Sequence, residues 1–279
     1  MTAARRAAFL PTVALLAGAL YCLLPIVWVV TAATKTNGEL FRTFTLAPGT
    51  ALFDNLADLS QYQSGIYWQW ILNTALYAGA GALLSTAVSG ISGYTLAKYR
   101  FPGRGVVFNV LLAGVLVPAV VLAIPQYLLL AGLHLTDTYW SVLLPSILSP
   151  YGIYLARIYA AAAVPDSLVE AARTDGAGDL RIFRSVAVPS MLPGLVTVFL
   201  FQFVAIWNNF LLPYIMLTSD DKFPVTVGLY TMLKQGNTTP VLYTLVVTGA
   251  LLSIAPLVLL FLTLQRYWRV DLLSGAVKG

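Results

Sequence analysis

The sequence predicts an all-α membrane protein with about six transmembrane helices, on three observations. The 279-residue chain is 59% hydrophobic and 10% charged, with a mean hydropathy of +0.81, whereas soluble domains carry about a quarter charged residues. It contains six apolar runs, each long enough to cross a bilayer, which takes roughly 20 apolar residues. Its basic residues fall unevenly on the two sides that those runs define.

The runs cover 8–33, 71–97, 106–131, 139–161, 191–217 and 243–265. Five contain no Asp, Glu, Lys or Arg, and the fourth carries only Arg157, near its end, where a long side chain can snorkel to the interface. Arg5 and Arg6 precede the first run, as in a secretory signal. Its apolar stretch exceeds a signal core of about 7–15 residues, so it is read as an uncleaved span.

Placing the N-terminus in the cytoplasm returns the C-terminus there after six spans. Of the 16 Lys and Arg residues, twelve then lie inside: Arg5, Arg6, Lys98, Arg100, Arg104, Arg157, Arg173, Arg181, Arg184, Arg266, Arg269 and Lys278. Lys35, Arg42, Lys222 and Lys234 lie outside. The charge of +5 is thus a topology signal, and no nucleic-acid partner is expected. The whole chain, 1–279, is read as a single transmembrane domain. A lone cysteine, Cys22, and a lone histidine, His134, leave no disulfide framework, thiolate metal site or Ser-His site. No metal is expected.

Within the second run, Gly81, Ser85, Ser89 and Gly93 recur every four residues and share one helix face. Packing inside the chain and contact with a second subunit both fit. Pro118, Pro125, Pro145, Pro150, Pro193, Pro213 and Pro256 interrupt the later runs and favour kinks. Kinked spans can line a cavity, because their freed carbonyls must face protein or water.

The largest inside loop, about 162–189, is the most informative. Pro165 suits a first helical turn, Asp166 and Glu170 favour a helix's positive end, and Gly176 can stop the helix in a left-handed cap. Leu180 to Val186 suits a second short helix ended by Pro189. Two short helices with small-residue faces suit insertion into a partner's groove. Amphipathic turns on a surface loop are the alternative.

Glu170-Ala171-Ala172, Gly176 and Val186-Ala187-Val188-Pro189 resemble the EAA loop of ABC importer permeases, with Val where that family usually has Ile and Leu. Ile124-Pro-Gln-Tyr127, Gly132-Leu-His-Leu-Thr136, Trp207-Asn-Asn-Phe210 and Phe223-Pro-Val-Thr-Val-Gly228 resemble segments of its carbohydrate branch. The tail Gly275-Ala-Val-Lys-Gly279 is similar to the ending of maltose- and glycerol-phosphate-permease-like subunits. Asn209 stands where the family often has Glu, and Asp271 where it often has Gly.

The resemblance implies a type I ABC importer permease fold in a bacterial or archaeal cell membrane. Glu170 to Gly176 would be the coupling helix on an ATP-binding subunit. Ala171 and Ala172 would allow close approach, Arg173 and Asp175 would make rim contacts, and Lys278 would touch the ATPase pair. A second permease subunit, two ATP-binding subunits and an external solute-binding protein are the implied partners. The sequence has no Gly-x-x-x-x-Gly-Lys-Ser/Thr loop and no Gly-Lys dipeptide, so ATP and Mg are expected on the partner ATPase and no cofactor on this chain.

A sugar site needs amide hydrogen bonds and aromatic faces. Asn73, Gln126, Tyr127, Trp207, Asn208, Asn209 and Tyr214 are the candidates in or near the spans. Bonds to neighbouring helices would use the same amides. The expected function is import of a sugar or sugar derivative by alternating access. Alternatives are an ABC permease for another solute and an ion-coupled secondary transporter. The spans' lack of Asp and Glu argues against proton coupling in the latter.

Overall fold

The computed structural model describes residues 3–42 and 45–276, with side chains from 11 to 267. Among the described residues it is helical throughout and has no strand. In chain order the helices are α1 (Ala3–Ala33), α2 (Asn37–Arg42), α3 (Leu52–Gln61), α4 (Ile66–Lys98), α5 (Arg104–Leu116), α6 (Ala119–Gly132), α7 (Tyr139–Ile147), α8 (Pro150–Ala163), α9 (Asp166–Thr174), α10 (Asp179–Ile182), α11 (Val188–Trp207), α12 (Leu211–Met216), α13 (Val225–Gln235) and α14 (Leu242–Ala276). Among the described residues, five helical segments are long and apolar enough to cross a membrane, and the bent pair α5 and α6 makes a sixth if it counts as one span. Leu16, Leu72, Leu116 and Leu259 are among many large apolar side chains left exposed, as hydrocarbon surroundings permit. At 33 residues, α4 is about 50 Å long, more than the bilayer's hydrocarbon core of about 30 Å.

The chain forms two compact units. One comprises 1–68 and 228–255, the other 69–227 and 256–279. In the first, the buried Asn55 amide donates to the carbonyls of Ala33 and Lys35, both at 2.9 Å, which fixes the exit from α1. The Tyr67 hydroxyl donates to the Gly249 carbonyl at 2.8 Å.

The second unit holds α5 to α12, most of α4 and the end of α14. The face of α4 predicted from its small residues packs inside the chain. Ser85 and Ser89 are fully buried. A Cβ on Gly93 would stand 2.6 Å from the Arg157 backbone nitrogen, and one on Gly81 would stand 2.8 Å from Ile206. Arg157 donates to the Leu96 carbonyl at 3.4 Å and lies 3.7 Å over the Phe108 ring. Arg104 donates to the carbonyls of Ala97 and Tyr99. The two guanidiniums thus occupy carbonyls that the end of α4 would otherwise leave unpaired.

At the opposite end of these helices Asp137, in the left-handed region at φ 54, ties two loops together. Its carboxylate accepts from the Thr218 and Ser219 backbone N–H groups at 3.0 Å, from the Ser219 hydroxyl and from Lys222 at 3.2 Å. Burial would raise this carboxyl's pKa, but these donors outweigh it and hold the pKa well below the usual carboxylate range.

Two sequence expectations are corrected. The third run is not one straight span: α5 and α6 meet at 106°. Val117 is extended because it precedes Pro118. Leu180 to Val186 is not a separate helix ended by Pro189, since helix runs unbroken from Asp179 to Trp207. A wider π-turn over Phe183–Ala187 leads into Pro189. Of the prolines named, Pro118 and Pro150 stand at breaks, Pro213 lies in α12 just past the third, and Pro125, Pro145, Pro193 and Pro256 lie inside helices.

Candidate functional site

Three helix breaks converge on one cavity of about 340 Å³, lined by residues including Gly114, Ala119, Gln126, Ser149, Pro150, Gln202 and Asn209. The first break is Val117–Pro118. At the second, Leu148 and Ser149 are extended ahead of Pro150. The Ser149 hydroxyl caps α8 by accepting from Gly152 N–H at 3.0 Å. At the third, α11 stops at Trp207 and α12 starts at Leu211. Asn208 donates its amide back to the Val204 carbonyl at 2.8 Å, and the Asn209 carbonyl accepts from Thr226.

Every polar side chain in this lining is neutral: Gln126, Ser146, Ser149, Tyr151, Gln202 and Asn209. The Gln202 amide donates to Ser149 Oγ at 2.7 Å, joining the second break to α11. Amides and hydroxyls over an apolar floor can exchange hydrogen bonds with a polyhydroxyl solute without fixing a charge.

The sequence-predicted solute residues separate. Gln126 and Asn209 line the cavity. Asn73 does not: it is 2% exposed, and its amide donates to the Asp221 and Phe223 carbonyls while accepting from Gln69 and Tyr139. That uses its hydrogen-bonding capacity within the chain. Trp207 is buried and stacked on Phe203, and Tyr214 is stacked on Phe210. Asn208 and Tyr127 are exposed outside the lining. Sequence reading missed Ser149 and Gln202. Ser-Pro ahead of an apolar run is a helix-start signal and marked Ser149; Gln202, an amide inside an apolar span, was equally visible.

The loop between α8 and α11 forms a second feature. Val169 and Ile182 are buried in a cluster with Ala156, Ala160, Ala187 and Met191, and Ala172 packs against it. Glu170, Ala171, Arg173, Asp175 and Gly176 face outward. Gly176, at φ +78, closes α9 with Gly176 N–H donating to Arg173 and Ala177 N–H to Ala172, the paired bonds of a Schellman cap. Arg173 is engaged inside the chain, 3.5 Å from the Asp179 carboxylate and 5.7 Å over the Tyr99 ring. Lys278 lies outside the described residues.

Residues 85–269 match the model of the binding-protein-dependent transport system inner membrane component family. The chain belongs to that family. It is 34% identical over 259 residues to the arabinooligosaccharides transport system permease protein of Halalkalibacterium halodurans, covering 91% of each chain. It is 30% identical to the sn-glycerol-3-phosphate transport system permease protein of Salmonella choleraesuis, over 90% of this chain and 91% of that one. A crystal structure of a bacterial ABC transporter importing the acidic polysaccharide alginate contains a chain that superposes with a TM-score of 0.82, covering 96% of this chain and 98% of that one at 23% identity. That likeness establishes the type I importer permease fold expected from the loop motif.

Proposed function

We propose that this chain is a membrane-spanning permease subunit of an ATP-driven importer and moves a sugar or sugar derivative, most simply an uncharged oligosaccharide. The observation that carries this reading is the convergence of three helix breaks on a cavity whose polar lining is wholly neutral. Interrupted helices place backbone groups at a midplane site. Relatives named for arabinooligosaccharides and lactose support the solute class.

In this reading both termini and the α8–α11 loop are cytoplasmic, in a bacterial or archaeal cell membrane. Glu170, Ala171, Asp175 and Gly176 form the surface that docks on an ATP-binding subunit, and ATP and Mg stay on that partner. A second permease completes the pathway, and an external binding protein delivers the solute. ATP-driven closure of the two ATPases moves the docking loop and alternates access to the cavity.

The test is affinity purification from native membranes in mild detergent, with mass spectrometry and an ATPase assay in the presence of arabinotriose, lactose or glycerol-3-phosphate. Co-purification of a second permease, an ATPase and a binding protein, with hydrolysis stimulated by the neutral sugars, is expected. Stimulation by glycerol-3-phosphate alone would overturn the solute class. A chain that purifies without an ATPase in several detergents would overturn the importer reading.

A further inference from the structure

The nine-residue helix α9 is tied at both ends to long helices of its own chain. At its start, Asp166 accepts from Lys98 at 2.7 Å. Lys98 is the last residue of α4; its side chain is 10% exposed and that of Asp166 79%, while Arg173 and Asp179 are both exposed. At its end, Arg173 reaches Asp179, the first residue of the helix that continues to Trp207 and supplies Gln202 and Ala205 to the cavity. Tyr99, one residue past α4, lies under the same guanidinium. Both anchors stand on firm backbone: the end of α4 is held by Arg104 and Arg157 through its carbonyls, and the start of α10 packs on α9 through Ile182 and Val169.

We infer that Lys98–Asp166 and Arg173–Asp179 are paired straps that carry displacement of the docking helix into α4 and α11, and so to the cavity breaks. These are positioning residues, and the inference rests on the docking role proposed above. Val169 and Ala172 hold α9 by apolar packing, which is non-directional and lets a short helix roll. Two ion pairs at its ends resist rolling and make the helix pull on both long elements. Burial, followed by the Asp179 carboxylate, pushes the Tyr99 hydroxyl up to about 12.

The test uses the whole importer captured through this chain, in a Cys22→Ser, Ala205→Cys background. The rate of maleimide labelling is measured with and without ATP plus vanadate, alongside ATP hydrolysis. Lys98→Asp and Asp166→Lys alone are expected to leave hydrolysis and complex yield in place. Each should shrink the nucleotide-dependent change in labelling at least about threefold, and the double variant should restore it, the coupled behaviour of interacting sites. Single variants that keep the full change, or a double variant without recovery, would overturn the strap. Glu170→Lys is run in parallel. If it separates hydrolysis from labelling while the Lys98 variants do not, the strap alone fails. If Glu170→Lys retains full coupling, or the parent's labelling ignores nucleotide, the docking reading fails and the strap with it.

Discussion

Replacing Gly93 by alanine tests the crossing of α4 over α8. The added Cβ would lie 2.6 Å from the Arg157 nitrogen, 2.7 Å from the Ala156 carbonyl carbon and 2.7 Å from the Ala156 Cβ. Ordinary contact begins near 3.4 Å, so the helices must separate by nearly 1 Å. Two of the three atoms are backbone, and no rotamer change relieves them. Overpacking of this kind costs about 1–3 kcal/mol, and alanine's better helix propensity returns at most about 1 kcal/mol. A net loss of up to about 2.5 kcal/mol, centred near 1 kcal/mol, follows. Gly79 is the control: it sits in the same helix, with nothing within 4 Å of its added Cβ. There alanine is neutral or gains up to about 1 kcal/mol. The assay is SDS-induced unfolding of the purified protein in mixed micelles, followed by helical circular dichroism. Opposite signs at the two glycines support the crossing. A Gly93→Ala midpoint within about 0.5 kcal/mol of the parent, the scatter of ordinary surface substitutions, would refute it.

Other substitutions separate the remaining roles. Asn209→Ala and Gln126→Ala each remove a neutral group from the cavity lining and should lower uptake severalfold while complex yield is unchanged; equal loss of yield and uptake would make them packing residues. Gly176→Pro cannot adopt φ +78, because proline fixes φ near −65°, so it should abolish stimulated hydrolysis while membrane insertion persists; Gly176→Ala should be much milder. Asp137→Asn leaves the Ser219 hydroxyl and Lys222 facing an amide N–H and should destabilise by about 1–3 kcal/mol, read as a lower melting temperature. The Asp137 pKa is depressed on folding, so its contribution is present above the unfolded carboxylate range and is lost as pH falls through the folded pKa. Melting temperature should therefore decline less on acidification in Asp137→Asn than in the parent; identical acid profiles would refute the role.

The sequence by itself determined the membrane class, the apolar runs and the helix-stop motif of the α8–α11 loop. Each is a local property: charge is expensive in hydrocarbon wherever it occurs, and the Gly176 cap needs only its own turn. It also placed the small-residue face of α4 correctly, because four-residue spacing fixes a helix face before any partner is known. It did not say which prolines break helices. Pro118 and Pro150 do, whereas Pro125, Pro145, Pro193 and Pro256 remain inside them, since a proline's effect depends on whether neighbouring packing supports a bend. Tertiary structure also divided the solute candidates. Asn73 and Asn209 are the same side chain in similar apolar settings, yet one is saturated by two loop carbonyls, Gln69 and Tyr139 while the other lines a cavity. Partners that lie 148 and 150 residues along the chain cannot be read from local composition, because a long-range hydrogen bond is specified by how helices pack rather than by the residue that makes it.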